Sequence, residues 1–158
     1  MLQLIYREGE RKMRVETALL DDMMEIYDLT NELEGVVLPL DRFCRIYEAT
    51  MRSKDDFIFV AREEKILGYV HGRFTEELHH GGKIATLQEM IVRKENRNHH
   101  IGKMLLMEAI LFASGKGAIE VELTSHLSRK PAHSFYEACG FQRTSWKFVR
   151  VLSENEIL

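Results

Sequence analysis

The feature that most constrains this chain is an apolar, strand-like run that ends in a polar, basic loop and continues at once as an apolar helix. The run covers residues 87–92, the loop covers residues 93–100, and the helix begins at Ile101. The first N–H groups of a helix have no acceptor within it, and the helix dipole places partial positive charge at the same end. Such a junction directs several donors to one place, which suits a phosphate. The pattern therefore predicts a strand–loop–helix unit that binds a phosphorylated molecule.

Length and composition indicate one globular domain. The chain has 158 residues, of which 45% are hydrophobic and 30% are charged, which is enough to bury a sizeable core. No repeat, low-complexity tract or Pro/Gly-rich linker interrupts it, so we expect a single domain over residues 1–158. Residues 1–11 form either a short extra strand, since Leu2, Leu4 and Tyr6 alternate, or a loose extension.

Charge and cysteine content limit the partners and the compartment. The formal charge is -3 and neither half of the chain is strongly basic, which argues against nucleic acid as a partner. The two cysteines, Cys44 and Cys139, do not make a disulfide framework, and the N-terminus lacks a signal-peptide pattern, so we expect a cytoplasmic location. The longest apolar run, residues 104–113, contains Glu108 and is too short to cross a bilayer, which predicts no membrane partner.

Hydrophobic periodicity predicts the other elements. Alternating apolar residues indicate strands, and apolar residues at helical spacing after an aspartate cap or a first-turn proline indicate helices. The predicted strands cover residues 13–18, 57–61, 66–74, 84–92, 119–124 and 141–151, and the predicted helices begin after Asp21 or Asp22, after Asp41, at Ile101 and at Pro131. The order β-α-α-β-β-β-α-β-α-β indicates a mixed α+β sheet domain.

Two motifs resemble those of the Gcn5-related N-acetyltransferase (GNAT) superfamily. Residues 97–102, Arg-Asn-His-His-Ile-Gly, resemble its Arg/Gln-x-x-Gly-x-Gly/Ala pyrophosphate loop, with His100 where the first glycine is usual. Residues 132–141, Ala-His-Ser-Phe-Tyr-Glu-Ala-Cys-Gly-Phe, resemble the Ala-x-x-Phe-Tyr-x-x-x-Gly-Phe segment that closes these domains. The motifs occur in the family's order with one strand between them, and the resemblance extends over residues 12–151.

The resemblance implies a fold, a co-substrate and a reaction. The GNAT fold has a central mixed, mostly antiparallel sheet of six or seven strands flanked by four helices. Its members bind acetyl-CoA, and an amine attacks the thioester directly, without a covalent enzyme intermediate. Residues 122–125 and 129–133 are similar to acetyltransferases of small amines, and residues 78–80 and 87–89 to aminoalkylphosphonate N-acetyltransferases. We therefore expect a small-molecule amine as the acceptor.

The resemblance also implies where acetyl-CoA binds. Backbone N–H groups of residues 98–103 would contact the pyrophosphate, with charge added by Arg97 and Lys103. The side chain of His100 limits how closely the backbone approaches the phosphates, although histidine adopts the left-handed region more readily than most residues. The predicted cofactor-binding residues are Met90, Ile91, Val92, Arg97, Asn98, His99, His100, Ile101, Gly102, Lys103, Ser125, Ser134, Phe135 and Tyr136.

Two residues are candidates for the proton transfers. Glu89 is the candidate base, although in some relatives the catalytic glutamate lies three residues earlier, where this chain has Thr86. The alternation of a strand leaves open which face Glu89 occupies, and pairing with a neighbouring strand is the alternative explanation for it. Tyr136 matches the family's usual acid for the CoA thiolate, the alternative being a core aromatic whose hydroxyl bonds to backbone. A backbone N–H near Ile91 or Val92 is expected to meet the oxyanion.

Two adjacent histidine pairs, His79-His80 and His99-His100, lack the spacing of a known metal motif. On a strand, neighbouring side chains point to opposite faces, so each pair would supply one ligand at most. We predict no metal ion, and we predict that His79 and His80 contact the substrate.

The sequence thus predicts an acetyl-CoA-dependent N-acetyltransferase of a small primary amine. One alternative keeps the reaction but takes a protein N-terminus or lysine as acceptor, which requires a peptide groove near residues 36–40. Another alternative is a non-catalytic acyl-CoA-binding regulatory module, which His100 and Thr86 suit but which leaves Tyr136 without a role. The resemblance also allows a homodimer, because dimers are common among GNAT proteins.

Overall fold

The computed structural model of the chain describes residues 5–8 and 11–152, with side chains from residue 13 onward. The chain divides into two compact units, Met1–Leu123 and Thr124–Leu158. The first unit holds the sheet and the first three α-helices, and the second unit holds the last α-helix.

Most elements follow the order and the bounds that periodicity predicts. Within the described residues the strands are β1 (Ile5–Glu8), β2 (Arg11–Thr17), β3 (Asp56–Arg62), β4 (Ile66–Glu77), β5 (Gly82–Val92) and β6 (Glu120–Leu123). The α-helices of the same residues are α1 (Met23–Glu34), α2 (Leu40–Arg52), α3 (Ile101–Gly115) and α4 (Lys130–Ala138). None of these helices combines the length and the apolar content needed to cross a bilayer.

The described strands form one six-stranded sheet in the order β1-β2-β3-β4-β5-β6. All neighbouring pairs are antiparallel except β5 and β6, which are parallel. Parallel neighbours need a crossover connection, and α3 supplies it between β5 and β6. The predicted α+β class, with a mixed and mostly antiparallel sheet, is confirmed.

One face of the sheet packs against α1 and α2. Its core joins Val60, Tyr69 and Ile91 of the three central strands to Leu29 of α1 and Tyr47 of α2, all of them buried. Residues at alternate positions of a strand share a face, so each central strand contributes apolar side chains to this core. Full burial of one such aliphatic side chain contributes about 1.5–3 kcal/mol. This packing holds β3, β4 and β5 together beneath the two helices.

The opposite face packs against α3 through aromatic rings. Phe57, Phe59 and Phe74 lie around Phe112 of α3, with ring centroids 5.1, 5.2 and 6.0 Å from it. Leu105 of α3 is fully buried. The apolar helix after the basic loop is therefore a core helix, and its first turn is held at the end of β5.

The N-terminal segment supplies the first strand of the sheet. Residues 5–8 form β1 and pair with β2 in antiparallel fashion, from Ile5 opposite Arg14 to Glu8 opposite Arg11. This agrees with the extra-strand interpretation of the segment. Leu2 and Leu4, on which part of that interpretation depended, lie outside the described residues.

A closing strand was predicted over residues 141–151, but residues 141–152 form neither helix nor strand. A strand requires a neighbour for its N–H and C=O groups, and an alternation of apolar residues does not supply one. The side chains of Trp146 and Phe148 are 75% and 92% exposed. This element of the prediction is wrong, and among the described residues the sheet reaches six strands through β1 instead.

Gly68→Ala tests the close approach of β4 to β5. A Cβ at this position would lie 2.5 Å from the carbonyl oxygen of Ile91 and 3.1 Å from Cα of Val92, two backbone atoms that cannot rotate away. We expect the free energy of unfolding, measured by urea denaturation, to fall by about 1–3 kcal/mol. In the control Gly115→Ala, where the added Cβ meets no described atom within 4 Å beyond its own stretch of helix, stability should stay equal or rise. Equal losses in both variants would contradict the prediction.

Candidate active site

Strand β5 is paired along nearly all of one edge and along only part of the other. It pairs with β4 from Gly82 to Val92, with one irregularity at Gln88, which has no partner in the β4 register. The parallel ladder with β6 ends at the pair Leu87–Leu123, so within the described residues the rest of this edge, as far as Val92, has no strand partner. Unpaired N–H and C=O groups on a strand edge can bind an extended molecule by the hydrogen bonds that join strands.

Backbone alternation identifies the groups that face the open edge. The N–H of Arg93, the residue after β5, donates to the carbonyl of Leu67 on β4 at 2.8 Å. Successive N–H groups of a strand point to opposite sides, so those of Met90 and Val92 point away from β4. Of the two predicted oxyanion donors, Val92 therefore directs its N–H to the open edge and Ile91 directs its N–H to β4.

The loop between β5 and α3 has left-handed backbone at two positions. Asn98 has φ +66° and His100 has φ +59°. Few non-glycine residues adopt this region, and asparagine and histidine are among those that do so more often. His100, which immediately precedes α3, thus holds a backbone conformation for which glycine is the usual residue.

The start of α3 leaves a run of backbone donors without acceptors. The first hydrogen bond of the helix joins the N–H of Met104 to the carbonyl of His100 at 3.0 Å. In the part of the chain that the structure describes, no backbone N–H from Asn98 to Lys103 donates to a protein acceptor. A left-handed residue before a helix turns such donors toward a common concavity. An anion placed there satisfies them and interacts favourably with the helix dipole.

The two cations predicted to assist this loop differ in their contacts. Arg97 donates from Nε to the carbonyl of Val92 at 3.0 Å and from Nη2 to Glu32 of α1 at 3.2 Å. Glu32 also accepts the N–H of Lys94 at 2.9 Å. Lys103 is exposed and has no ion pair with any described residue. Arg97 therefore anchors the loop to α1 and β5, whereas the ammonium of Lys103 remains available to an anion.

Glu89 lies on the face of the sheet that packs against α1 and α2. Tyr69 and Ile91 are cross-strand partners in the core of that face. Two residues along each strand, His71 is the partner of Glu89, and the period of two places both on the same face. Nδ1 of His71 lies 2.9 Å from Oε2 of Glu89, whose side chain is 41% exposed. Glu89 thus pairs with a neighbouring strand, and its partner is a side chain that can carry a proton.

A buried carboxylate holds the other side of His71. Nε2 of His71 lies 2.8 Å from Oδ1 of Asp56 on β3, and the side chain of Asp56 is 1% exposed. Arg73 donates to both carboxylate oxygens of Asp56, each at 2.9 Å. Such bidentate pairs are among the strongest hydrogen-bonded contacts in proteins. The result is a continuous chain, Glu89–His71–Asp56–Arg73, that crosses three strands.

Hydrogen bonds determine the protonation of this chain. Burial opposes the charging of His71, but its bonds to Glu89 and Asp56 outweigh burial and hold its pKa above the ordinary value. Burial also opposes the ionisation of Asp56, but bonds that include those from Arg73 and His71 hold its pKa below the ordinary value. Only a doubly protonated imidazole donates to two carboxylates at once. Below its raised pKa, His71 is therefore an imidazolium between two carboxylates.

Thr86 occupies the position at which some relatives have the catalytic glutamate. Its hydroxyl donates to Oε1 of Glu122 on β6 at 3.0 Å. Thr86 is the cross-strand partner of Arg73 on β4 and of Glu122 on β6, so all three side chains lie on the α1/α2 face. The neighbouring strand thus supplies a carboxylate where β5 has none.

His79 and His80 lie in the turn between β4 and β5 rather than on a strand. Their ring centroids are 4.1 Å apart. Both rings approach Oε2 of Glu77, with Nε2 at 3.5 Å for His79 and 3.9 Å for His80. The expectation that neighbouring histidines point in opposite directions depended on strand geometry and does not hold in this turn. Their contact with substrate stays a prediction.

The second unit carries the remaining predicted residues. Tyr136 lies on α4, with its ring centroid 5.3 Å from that of Phe135 and 5.9 Å from that of Phe141. Burial raises the pKa of Tyr136, so its hydroxyl is protonated at neutral pH. Ser134 lies on the same helix, and Ser125 lies in the segment that precedes it. The roles of these residues stay predictions.

The sequence profile of the acetyltransferase (GNAT) domain matches residues 54–143. This range holds β3 to β6, the basic loop, α3 and α4, and it covers more than half of the chain. The chain belongs to the GNAT family. This GNAT protein is accordingly an acyltransferase, as the two sequence motifs predict.

Two relatives match most of this GNAT chain. The aminoalkylphosphonate N-acetyltransferase of Salmonella typhimurium is 27% identical over 136 residues, which cover 85% of this chain and 88% of that protein. The uncharacterized N-acetyltransferase YhdJ of Bacillus subtilis is 27% identical over 129 residues, which cover 81% of this chain and 90% of that protein. Both similarities support acetyl transfer as the reaction.

Solved structures share the fold over nearly the whole chain. A transcriptional regulator from Bacillus halodurans superposes with a TM-score of 0.81 at 23% identity, over 89% of this chain and 99% of its own. An aminoglycoside N-acetyltransferase in complex with CoA superposes with a TM-score of 0.81 at 14% identity, over 94% of this chain and 99% of its own. The second structure places CoA on a GNAT fold.

Sequence reasoning missed His71, Asp56 and Arg73. They are separated along the chain and meet only because β3, β4 and β5 are neighbours in the sheet. One signal was present: His71 and Arg73 are polar residues at alternate positions of the otherwise apolar start of β4. Polar side chains on a packed face need hydrogen-bond partners, and an acidic residue at the same level of a neighbouring strand is the expected partner.

His71→Gln tests the charged state of the chain through its pH dependence. Because the pKa of His71 is raised in the folded state, its stabilising contribution is complete below about 6.5, its ordinary pKa, and is lost as the pH rises through the raised value. We expect the free energy of unfolding of the variant to be about 1.5–3 kcal/mol lower than that of the parent at mildly acidic pH. The difference should be smaller in alkaline solution. Urea denaturation across this pH range measures it.

His126→Gln is the matched control. His126 is exposed and bonds to the hydroxyl of Ser128 rather than to a carboxylate. Its substitution should produce a small difference in stability. A His71→Gln difference that is constant with pH, or that grows as the pH rises, would refute the charged state assigned to His71.

Proposed function

We propose that this GNAT protein transfers the acetyl group of acetyl-CoA to a primary amine of a small molecule. The amine nitrogen attacks the thioester carbonyl, a tetrahedral oxyanion forms, and the C–S bond then breaks to release CoA. The observation that carries the proposal is the run of unbonded N–H groups from Asn98 to Lys103, at the end of a strand whose edge is open.

The N–H groups before α3 and the open edge of β5 both support the binding of acetyl-CoA. The pyrophosphate accepts hydrogen bonds from the loop, and Lys103 adds a nearby positive charge. The dipole itself contributes only about 0.3–1 kcal/mol, so the several N–H groups must provide most of the binding. The amide-containing arm of the cofactor extends along the open edge of β5, where Met90 and Val92 direct their N–H groups. Val92 is then the donor that stabilises the oxyanion.

Removal of the amine proton is assigned to Glu89. An alkylamine with a lysine-like pKa is roughly 3.4 units above neutral, so its deprotonation costs roughly 4.6 kcal/mol. Glu89 is partly exposed, which leaves its carboxylate accessible to the amine directly or through one water. The hydrogen bond from His71, itself held by Asp56 and Arg73, fixes the orientation of this carboxylate. In this assignment His71 is a positioning residue.

Protonation of the departing thiolate is assigned to Tyr136. The assignment is supported by its place in the Phe-Tyr motif of residues 135–136 and by its raised pKa, which keeps the phenol protonated at neutral pH. The motif occurs in a segment that the GNAT profile includes. We further propose that residues 124–158 act with the sheet as one catalytic domain, because the profile match crosses the boundary between the two units.

The charge of the sheet face favours a cationic acceptor. Asp56, Glu89 and Glu122 contribute three carboxylates, against the cations Arg73 and protonated His71. An ammonium group is attracted to such a face, which raises its local concentration before deprotonation. The Salmonella relative acts on aminoalkylphosphonates by its name, and this class shares the primary amine. A cytoplasmic location and a homodimer stay predictions from the sequence.

A panel of acceptors tests the proposal. Release of free CoA thiol from acetyl-CoA would be followed with alkylamines, polyamines, aminoalkylphosphonates, aminoglycosides and peptides. We expect turnover with at least one small amine and none with peptides. Turnover with peptides alone would favour the protein-directed alternative. A thermal shift with acetyl-CoA but no turnover on any acceptor would favour a regulatory module, and no thermal shift would reject both.

Variants then separate the assigned roles. Glu89→Gln and Tyr136→Phe should each lower kcat by about 10²–10⁴-fold, the range of general acid–base catalysis, without abolishing the binding of acetyl-CoA. Gln88→Asn, an exposed neighbour on the same strand, is the matched control for Glu89→Gln. An unchanged kcat would remove the substituted residue from its role.

His100→Gly tests whether the imidazole limits cofactor binding. Glycine adopts the left-handed φ of this position without a Cβ and lets the loop backbone approach the phosphates more closely. We expect the Kd for acetyl-CoA, measured by calorimetry, to fall by about three- to tenfold, which corresponds to about 0.7–1.4 kcal/mol.

His99→Gly is the control for this loop. His99 is not among the residues with positive φ, so glycine there adds only flexibility. Its affinity for acetyl-CoA should stay equal or decrease. Equal gains in both variants would show that flexibility, rather than the conformation at position 100, limits binding.

A further inference from the structure

A cluster of metal-ligand side chains lies at the far end of the β4–β5 hairpin. Glu77 ends β4, and His79 and His80 follow in the turn. Each of the three residues offers a ligand atom, and these atoms all lie within 4.8 Å of one another. Within the described residues this is the one such group of three or more histidine, cysteine or acidic side chains.

The spacing of the ligand atoms fits one small cation. Nε2 of His79 and Nε2 of His80 lie 3.5 and 3.9 Å from the same oxygen, Oε2 of Glu77. Ligands bound tetrahedrally at about 2.0–2.2 Å from an ion are about 3.3–3.6 Å apart, so small side-chain rotations would close the site.

A fourth residue, Glu120, lies close to one of the ligands. Nδ1 of His80 lies 3.5 Å from Oε2 of Glu120 on β6. Carboxylates that accept the second ring N–H of a histidine fix its tautomer and direct the other nitrogen to a metal. His80 thus has one nitrogen toward Glu120 and the other toward Glu77. This arrangement is independent of the ligand spacing and supports the same conclusion.

We propose that Glu77, His79 and His80 bind a divalent transition-metal ion, with Glu120 as the residue that orients His80. Two imidazoles and one carboxylate suit Zn²⁺ or Ni²⁺ rather than Mg²⁺ or Ca²⁺, which prefer oxygen ligands. Three protein ligands leave a coordination position for water or an anion. The ion connects the β4–β5 turn, through His80 and Glu120, to β6. The site is separate from Glu89 and from the loop before α3.

Calorimetry with untagged protein, stripped with a chelator and then titrated with ZnCl₂ or NiCl₂, tests the site. We expect saturable binding of one ion per chain and a higher melting temperature in its presence, because a ligand that binds only the folded state stabilises it. MgCl₂ should produce neither effect. Absence of saturable binding up to millimolar Zn²⁺ and Ni²⁺ would overturn the proposal.

Variants locate the bound ion. His79→Ala and His80→Ala should each weaken binding of the ion at least about tenfold. Glu120→Gln should weaken it by no more than about 100-fold, since Glu120 acts through His80. His126→Ala, which removes an exposed histidine elsewhere, should bind as the parent does. Binding that survives in the double variant His79→Ala/His80→Ala would overturn the proposal. If that variant fails to fold by circular dichroism, Glu77→Gln, which keeps the side-chain volume, must show the loss instead.

Discussion

The unequal pairing of β5 is the constraint on which the candidate site depends. This strand pairs with β4 from Gly82 to Val92, apart from Gln88, but with β6 only as far as Leu87. Within the described residues, the stretch from Gln88 to Val92 therefore has no strand partner on that edge, to which the N–H groups of Met90 and Val92 point. The strand is nevertheless held firmly, since Ile91 is buried under α1 and α2. A rigid strand with an open edge can receive an extended ligand without reorganising.

The same strand has positive charge at its end and negative charge on one of its faces. At its end, the loop and α3 collect backbone N–H groups and present partial positive charge. On its α1/α2 face, Glu89, Asp56 and Glu122 contribute three carboxylates against two cations, Arg73 and protonated His71. In the proposed function, an anionic cofactor and a cationic acceptor are attracted to different parts of this strand. The proposed reaction uses this division.

Features of this protein that depend on interactions between residues close along the chain were predictable from its sequence, and features that depend on distant residues were not. Strands β2 to β6 and all four described helices were predictable, because the period of apolar residues reflects burial along a single element. The loop before α3 was predictable as well, since its donors arise from the start of one helix. The strand predicted at residues 141–151 was wrong, because a strand exists only with a partner and no local pattern reports one. The converging rings of His79 and His80 were missed for a related reason: their turn has no regular period.

The sequence by itself determined most of the elements and their order, the basic loop and the Phe-Tyr motif, and with these the family. Those features depend on contacts between residues close along the chain. Only the tertiary structure decided that Glu89 lies on the α1/α2 face and that His71, Asp56 and Arg73 lie behind it. It also decided that His100 takes a left-handed conformation and that β6 stops short of Val92. These facts depend on the register of neighbouring strands and on backbone dihedral angles, neither of which a pattern of residue types specifies.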